Sequence, residues 1–155
     1  MRILGIDPGY GILGWGVIDK GLKIVDYGAI ETPSTMPLDE RMFVIYTELS
    51  DIISKYKPDT CAIEKLFFSK NTTTAMNVAN AVGVILLVLH QYIVLYTEYT
   101  PIQIKQAITG FGRADKKQMQ TMVKNIFGLK EIPQPDDAAD ALAIAACHSF
   151  ATGDK

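Results

Sequence analysis

The chain has 155 residues, 48% apolar and 21% charged, with 15 basic against 17 acidic side chains and a formal charge of −2. That length fits one domain able to bury about two-thirds of its unfolded surface, and the composition is ordinary for a globular protein. The longest apolar stretch, Ala81 to Leu89, is too short to span a bilayer, which needs roughly 20 residues. Cys61 and Cys147 lack metal-site spacing and read as small core residues rather than a zinc site or disulfide.

In chain order, residues 2 to 7 form an apolar strand ending at Asp7-Pro8-Gly9. Gly14 to Asp19 is a second strand, and Lys23 to Ile30, after the turn at Gly21, is a third. Connections this short require antiparallel neighbours. The chain opens directly on strand, with no basic-then-apolar leader, so a cytoplasmic address is expected. Leu38, Met42, Ile45, Leu49, Ile52 and Tyr56 step by three and four, which predicts a helix over 38–56. Lys57-Pro58-Asp59 stops it. Thr60 to Glu64 is a fourth strand, a helix follows over about 73–90, and Ile93 to Thr97 is a fifth strand. A short helix after Pro101, a glycine loop at 110–112, a helix over about 115–127 and a last helix from about Asp136 complete the chain. No repeat, low-complexity segment or linker interrupts it, so 1–155 reads as one domain: α/β, a five-stranded mixed sheet flanked by helices. The end of the second helix is apolar nearly all round (Val82, Val84 to Leu89), so one side takes the sheet and the other could take a second copy of the chain.

Acidic residues stand at three separated places. Asp7 ends strand one, Glu64 ends strand four, and Asp136, Asp137 and Asp140 open the last helix. Each alone has an ordinary explanation: a turn former, an edge charge pair, helix-start aspartates. Together they say more, because ionised carboxylates beside an apolar sheet are costly unless paired or metal-bound. Asp137 and Asp140 share one helical face, separated by a rise of roughly 4.5 Å. Asp136 is also placed to join Asp140, and spacing alone does not choose between Asp136 and Asp137. Hard oxygen donors suit Mg²⁺, and two such ions could activate water and stabilise the leaving oxygen in phosphodiester cleavage. If four of these five carboxylates bind metal, the remaining balance is 15 basic against 13 acidic (17 − 4), or +2. The net charge therefore neither supports nor excludes DNA.

Lys65, Lys70, Lys105, Arg113, Lys116, Lys117 and Lys124 lie near these segments and could contact phosphates. Phe67-Phe68 follows strand four, where alternation could turn one ring away from the core. His90 and His148 have no metal-ligand spacing and read as structural.

Five stretches, Ile3 to Gly9, Ala62 to Glu64, Phe67 with Lys70-Asn71, Gly110 to Gln118 and Asp137 to Ala145, closely resemble the bacterial RuvC family of Holliday-junction resolvases, in the family's order and spacing. The resemblance implies a ribonuclease H-like fold and a homodimer. It also implies metal-dependent nicking of two opposed strands at a four-way DNA junction, leaving 5′-phosphate and 3′-hydroxyl ends. It puts Asp7, Glu64, Asp137 and Asp140 at the metal positions, with Asp7 contacting both of two Mg²⁺ ions (Mn²⁺ as a substitute), and makes Asp136 a bystander or cap. Lys105 and Lys116 resemble lysines that support cleavage, Lys70, Arg113 and Lys117 fall among the DNA contacts, and Phe67 is implied to stack or wedge at the crossover. A branch-migration complex of two other proteins is the family's partner. The chain stops at Thr152-Gly153-Asp154-Lys155, where relatives often carry a longer basic tail. Gly5-Ile6-Asp7-Pro8-Gly9 also resembles the first phosphate loop of actin-like sugar kinases and ATPases, which need two such domains. A non-catalytic DNA-binding scaffold would not need all four carboxylates.

Overall fold

The computed structural model describes residues 1–67 and 72–153. Strands β1 (Ile3–Asp7), β2 (Ile12–Asp19) and β3 (Lys23–Glu31) precede helix α1 (Leu38–Tyr56), strand β4 (Thr60–Glu64), helix α2 (Thr72–Gln91) and strand β5 (Leu95–Tyr99). Helices α3 (Pro101–Thr109), α4 (Lys116–Ile126) and α5 (Asp136–Thr152) follow. The sheet has five strands in the order β3-β2-β1-β4-β5. The first three pair antiparallel, while β1–β4 and β4–β5 are parallel. The mixed α/β sheet expected from the sequence is therefore observed.

Alternation along the strands divides the core. Leu4, Ile6, Val17, Cys61 and Ile63 meet α1 and α2 on one face, whereas Ile3, Ile18 and Ala62 meet α3, α4 and α5 on the other. Helix α5 is buried from Ala138 through Ser149 except at Asp140, and its alanines allow it to lie close to the sheet. At Gly5 a Cβ would stand 2.1 Å from the Ala141 carbonyl oxygen, and at Gly14 one would stand 1.9 Å from that of Asp137. These two glycines let β1 and β2 accept the α5 backbone directly.

Some boundaries moved. β5 begins at Leu95 rather than Ile93, because Ile93 adopts φ 58° in the turn that ends α2. There the Val94 N–H donates to the Leu89 carbonyl at 2.9 Å. A β-branched residue with positive φ is exceptional, which is why periodicity placed the strand two residues early. Asp115 is the cap of α4, not its first turn: it accepts from the Gln118 N–H at 2.8 Å, and Gln118 Oε1 accepts from the Asp115 N–H at 2.9 Å.

Helix α2 is, among the described residues, long and apolar enough to cross a membrane by length and composition, although its Ala81–Leu89 stretch alone is not. It packs Ala75, Ala81, Ile85, Val88 and Leu89 into the core. Its outward side carries Met76, Asn80, Gly83 and Leu87 at intervals of four, three and four, with Met76 64% and Leu87 59% exposed.

Candidate metal centre and nucleic-acid face

Parallel pairing of Ile6 with Ile63 brings the next residues, Asp7 and Glu64, to neighbouring strand ends. Asp7 pairs with Gly14 across the antiparallel side, and Gly14 touches Asp137 at the start of α5. The packing that seats α5 thus also brings Asp137 to Asp7, and Asp140 follows on the same helical face.

The turn after Asp7 is braced from the β3–α1 loop. Thr32 donates through Oγ1 to the Tyr10 carbonyl at 2.5 Å and through its N–H to that of Gly11 at 2.9 Å. Arg41, buried, donates to the Pro33 carbonyl through Nε (3.0 Å) and Nη2 (2.6 Å) and lies 5.1 Å from the Tyr10 ring centroid.

The electrostatics show that the four carboxylates feel one another. Burial, then the charges of Glu64, Asp140 and Asp137, push the Asp7 carboxyl up to about 8, which favours its protonated form, hydrogen-bonded to Glu64. Burial and Asp140 raise Glu64, against the opposing effects of the Asp7 hydrogen bond and Lys105. Asp140 is raised by burial and by Asp137 and Asp136, while Lys116 opposes the rise. The centre is short of positive charge.

Among the described residues, no three His, Cys, Asp or Glu groups are gathered tightly enough, as they stand, to hold an ion. The donor set nonetheless fits a hard divalent cation. All four donors are carboxylates, and the Asp7–Glu64 proton fills the place of a counter-charge that a cation would supply.

Glu64 and Pro101 line both of two clefts. One, of about 210 Å³, is also lined by Lys105, Lys116 and Asp140; the other, of similar size, is lined by Pro8, Lys65, Phe67 and Pro101. Phe67 is 58% exposed, so it does not serve the core. Lys105 and Lys116 therefore stand beside the carboxylates. Lys117 instead lines an apolar hollow on the other side of α4 with Thr109, Phe111 and Met122, and Arg113 is exposed on the loop before α4. Lys70 lies outside the described residues. His148 is buried, with Nδ1 2.8 Å from the Tyr99 hydroxyl and Nε2 3.3 Å from Thr60 Oγ1, consistent with a structural role.

Two contacts escaped the sequence reading. Asp136 pairs with Lys116 at 2.8 Å and accepts from Gln120 at 3.2 Å. Its role is visible only once α4 and α5 are packed, since no spacing within the chain links residues 116 and 136.

The profile of the family described as "Crossover junction endodeoxyribonuclease RuvC" matches residues 3–148. The chain is 55% identical to the protein of that name from Caldicellulosiruptor saccharolyticus over 152 residues, covering 96% of this chain and 92% of the relative. Against the Alkaliphilus oremlandii protein of the same name it is 53% identical over 152 residues, with 96% and 93% covered. Among solved structures, T. thermophilus RuvC in complex with Holliday junction substrate superposes with TM-score 0.92 at 37% identity, covering 98% of this chain and 94% of that one. The yeast mitochondrial Holliday junction resolvase Ydc2 (TM-score 0.72, 12% identity, 98% and 79% covered) shares the fold.

Proposed function

The chain belongs to the RuvC family of crossover junction endodeoxyribonucleases, and from that premise we propose how its own residues resolve four-way DNA junctions by hydrolysing phosphodiester bonds. The observation that carries the reading is the convergence of Asp7 and Glu64, at neighbouring strand ends, with the start of α5, where the backbone of Asp137 packs on Gly14 beside Asp7. Asp7, Glu64, Asp137 and Asp140 are the metal-holding residues. Divalent cations bound there, Mg²⁺ by preference for hard oxygen donors, would activate a water and stabilise the leaving oxygen.

A cation held there would supply the positive charge that a proton on Asp7 supplies toward Glu64 in its absence. Lys105 and Lys116, on the cleft wall, face the phosphate and offset charge that develops on it. Hydrolysis leaves 5′-phosphate and 3′-hydroxyl ends. Arg113 and Lys117, exposed beyond the cleft, contact phosphates of the junction arms and give salt-sensitive, sequence-independent affinity.

Phe67 lines the second cleft with Lys65, and Glu64 borders both that cleft and the one lined by Lys105 and Lys116. An exposed ring there can stack on or wedge beside a base opened at the crossover. Phe67→Ala is expected to bind a junction within about threefold of wild type while cleaving it at least about tenfold more slowly, since one base–aromatic stack is worth about 1–3 kcal/mol. Unchanged single-turnover cleavage contradicts that role.

Paired nicking needs two centres, which a homodimer supplies. The outward stripe of α2, apolar but for Asn80, suits a second helix, and Gly83 supports close approach. A Cβ at Gly83 would meet nothing within 4 Å in its own chain, so the chain itself does not require glycine there. Leu87→Arg is expected to convert the dimer to monomer in sedimentation analysis and to abolish paired nicks. A monomeric wild type contradicts the assembly.

The decisive assay incubates protein with a labelled four-way junction or a linear duplex of the same sequence, in Mg²⁺ or in chelator. Symmetric, metal-dependent nicks in the junction alone are expected. Equal cutting of the duplex, or none in either, contradicts the reading.

A further inference from the structure

Asp136 stands next to the proposed ligand Asp137, yet its carboxylate points to another element. The cap position of α5 is Pro135, with no side-chain cap hydrogen bond, so the first turn does not use Asp136 in that way. Both its oxygens are directed at α4: Oδ2 lies 2.8 Å from Lys116 Nζ, and Oδ1 accepts from Gln120 Nε2 at 3.2 Å. Lys116 and Gln120 are four residues apart on one face of α4. Asp136 therefore clips that face to the start of α5.

The consequence falls on Lys116. Its ammonium is on the cleft wall with Glu64, Lys105 and Asp140, and after Asp136 the anions that act on it are Asp140 and Asp137. A lysine head is a compact charge on a flexible four-carbon stem. Attracted only by Asp137 and Asp140, it would compete for the carboxylates that the proposed cations need. With those carboxylates neutralised by cations, it would be repelled into solvent. Asp136 is the anion that holds it between these extremes.

We propose that Asp136 is a positioning residue whose carboxylate tethers Lys116 at the rim of the carboxylate cleft, facing the phosphate. The inference rests on the reading of Asp7, Glu64, Asp137 and Asp140 as metal ligands and of Lys116 as support for cleavage. Asp136 itself is neither a ligand nor a DNA contact. The two side chains are 62% and 44% exposed, so their pairing adds little to stability and its effect belongs in the rate.

The test measures single-turnover cleavage of a labelled four-way junction, junction affinity and the Mg²⁺ concentration for half-maximal rate. It compares wild type, Asp136→Asn, Asp136→Glu, Lys116→Ala and the Asp136→Asn/Lys116→Ala double variant. Asp136→Asn is expected to slow cleavage about three- to fivefold, the range of an exposed ion pair, with affinity and Mg²⁺ requirement unchanged. Asp136→Glu restores most of the rate, and Asp136→Asn costs nothing further once Lys116 is alanine.

Independently of activity, the ¹³C resonance of reductively methylated Lys116, assigned by its loss in Lys116→Ala, is expected to sharpen toward that of a free lysine in Asp136→Asn. Additive losses in the double variant, an unchanged or faster rate, a shifted Mg²⁺ requirement or an unmoved resonance each overturn the tether. If Lys116→Ala cuts at the wild-type rate, the role of Lys116 falls and the tether with it. A wild type that cuts no junction overturns the functional reading itself, before any variant is compared.

Discussion

Asp7→Asn is expected to reduce junction cleavage by about 10³-fold or more, to leave junction binding within about threefold, and to raise the melting temperature of the metal-free protein. The loss follows because Asp7 sits between Glu64 on β4 and the aspartates of α5. A lost ligand there removes several kcal/mol of charge stabilisation, and each 1.36 kcal/mol is tenfold in rate. The gain in stability has a separate cause. In the folded chain the Asp7 carboxyl is pushed up to about 8, against an ordinary value of 3.8 in the unfolded chain. The folded state therefore holds a proton that the unfolded state has released. Stability is full below about pH 4 and is lost as pH rises through the folded value near 8.

An asparagine amide at position 7 can donate to Glu64 as the neutral carboxyl does, without the buried charge at high pH. Thermal melts in chelator from pH 5 to 9 should thus show a wild-type decline that is smaller in Asp7→Asn. Near pH 8 the variant should melt about 2–8 °C higher, corresponding to about 1–2 kcal/mol in a domain of this size. Cleavage above a tenth of wild type, or parallel melting profiles, would contradict the assignment.

Gly14→Ala is expected to damage both the fold and the chemistry from a position that carries no functional group. The added Cβ would lie 1.9 Å from the Asp137 carbonyl oxygen, 2.4 Å from its carbonyl carbon and 3.0 Å from its Cβ. Those are mostly backbone atoms of the α5 start, which cannot rotate aside as a side chain could. Overpacking of this kind costs about 1–3 kcal/mol or more. Relief requires moving the α5 start away from β2, which carries Asp137 and Asp140 away from Asp7. A displacement near 1 Å in an active site costs about 100-fold in rate. Gly14→Ala should therefore melt several degrees lower and cleave about 100-fold more slowly. Gly11→Ala, in the same turn region but with nothing within 4 Å of its Cβ, should change neither appreciably. Equal behaviour of the two variants would show that α5 does not position the carboxylates through this contact.

Much of this architecture was legible in the sequence because its signals are local. Short turns at Asp7-Pro8-Gly9 and Gly21 forced antiparallel pairing of β1 to β3, and the three-four spacing from Leu38 to Tyr56 gave α1 to the residue. The carboxylates were visible because Asp7 and Glu64 end apolar strands and Asp137 and Asp140 share one helix face. What was hidden depends on packing. Ile93 took a left-handed conformation that its β-branched side chain disfavours. Lys116 and Lys117 are adjacent, but a helix turns 100° per residue, and of the two only Lys116 lines the carboxylate cleft. Asp136 looked like a helix-start acid, whereas its carboxylate is engaged by residues sixteen and twenty positions earlier.

Diffraction from crystals grown with Mn²⁺, collected at an energy where manganese scatters anomalously, tests the central claim most directly. The account predicts anomalous density among Asp7, Glu64, Asp137 and Asp140, with an Asp7 oxygen coordinating an ion and no longer bonded to Glu64. Manganese bound elsewhere, with Asp7 still donating to Glu64, would contradict it.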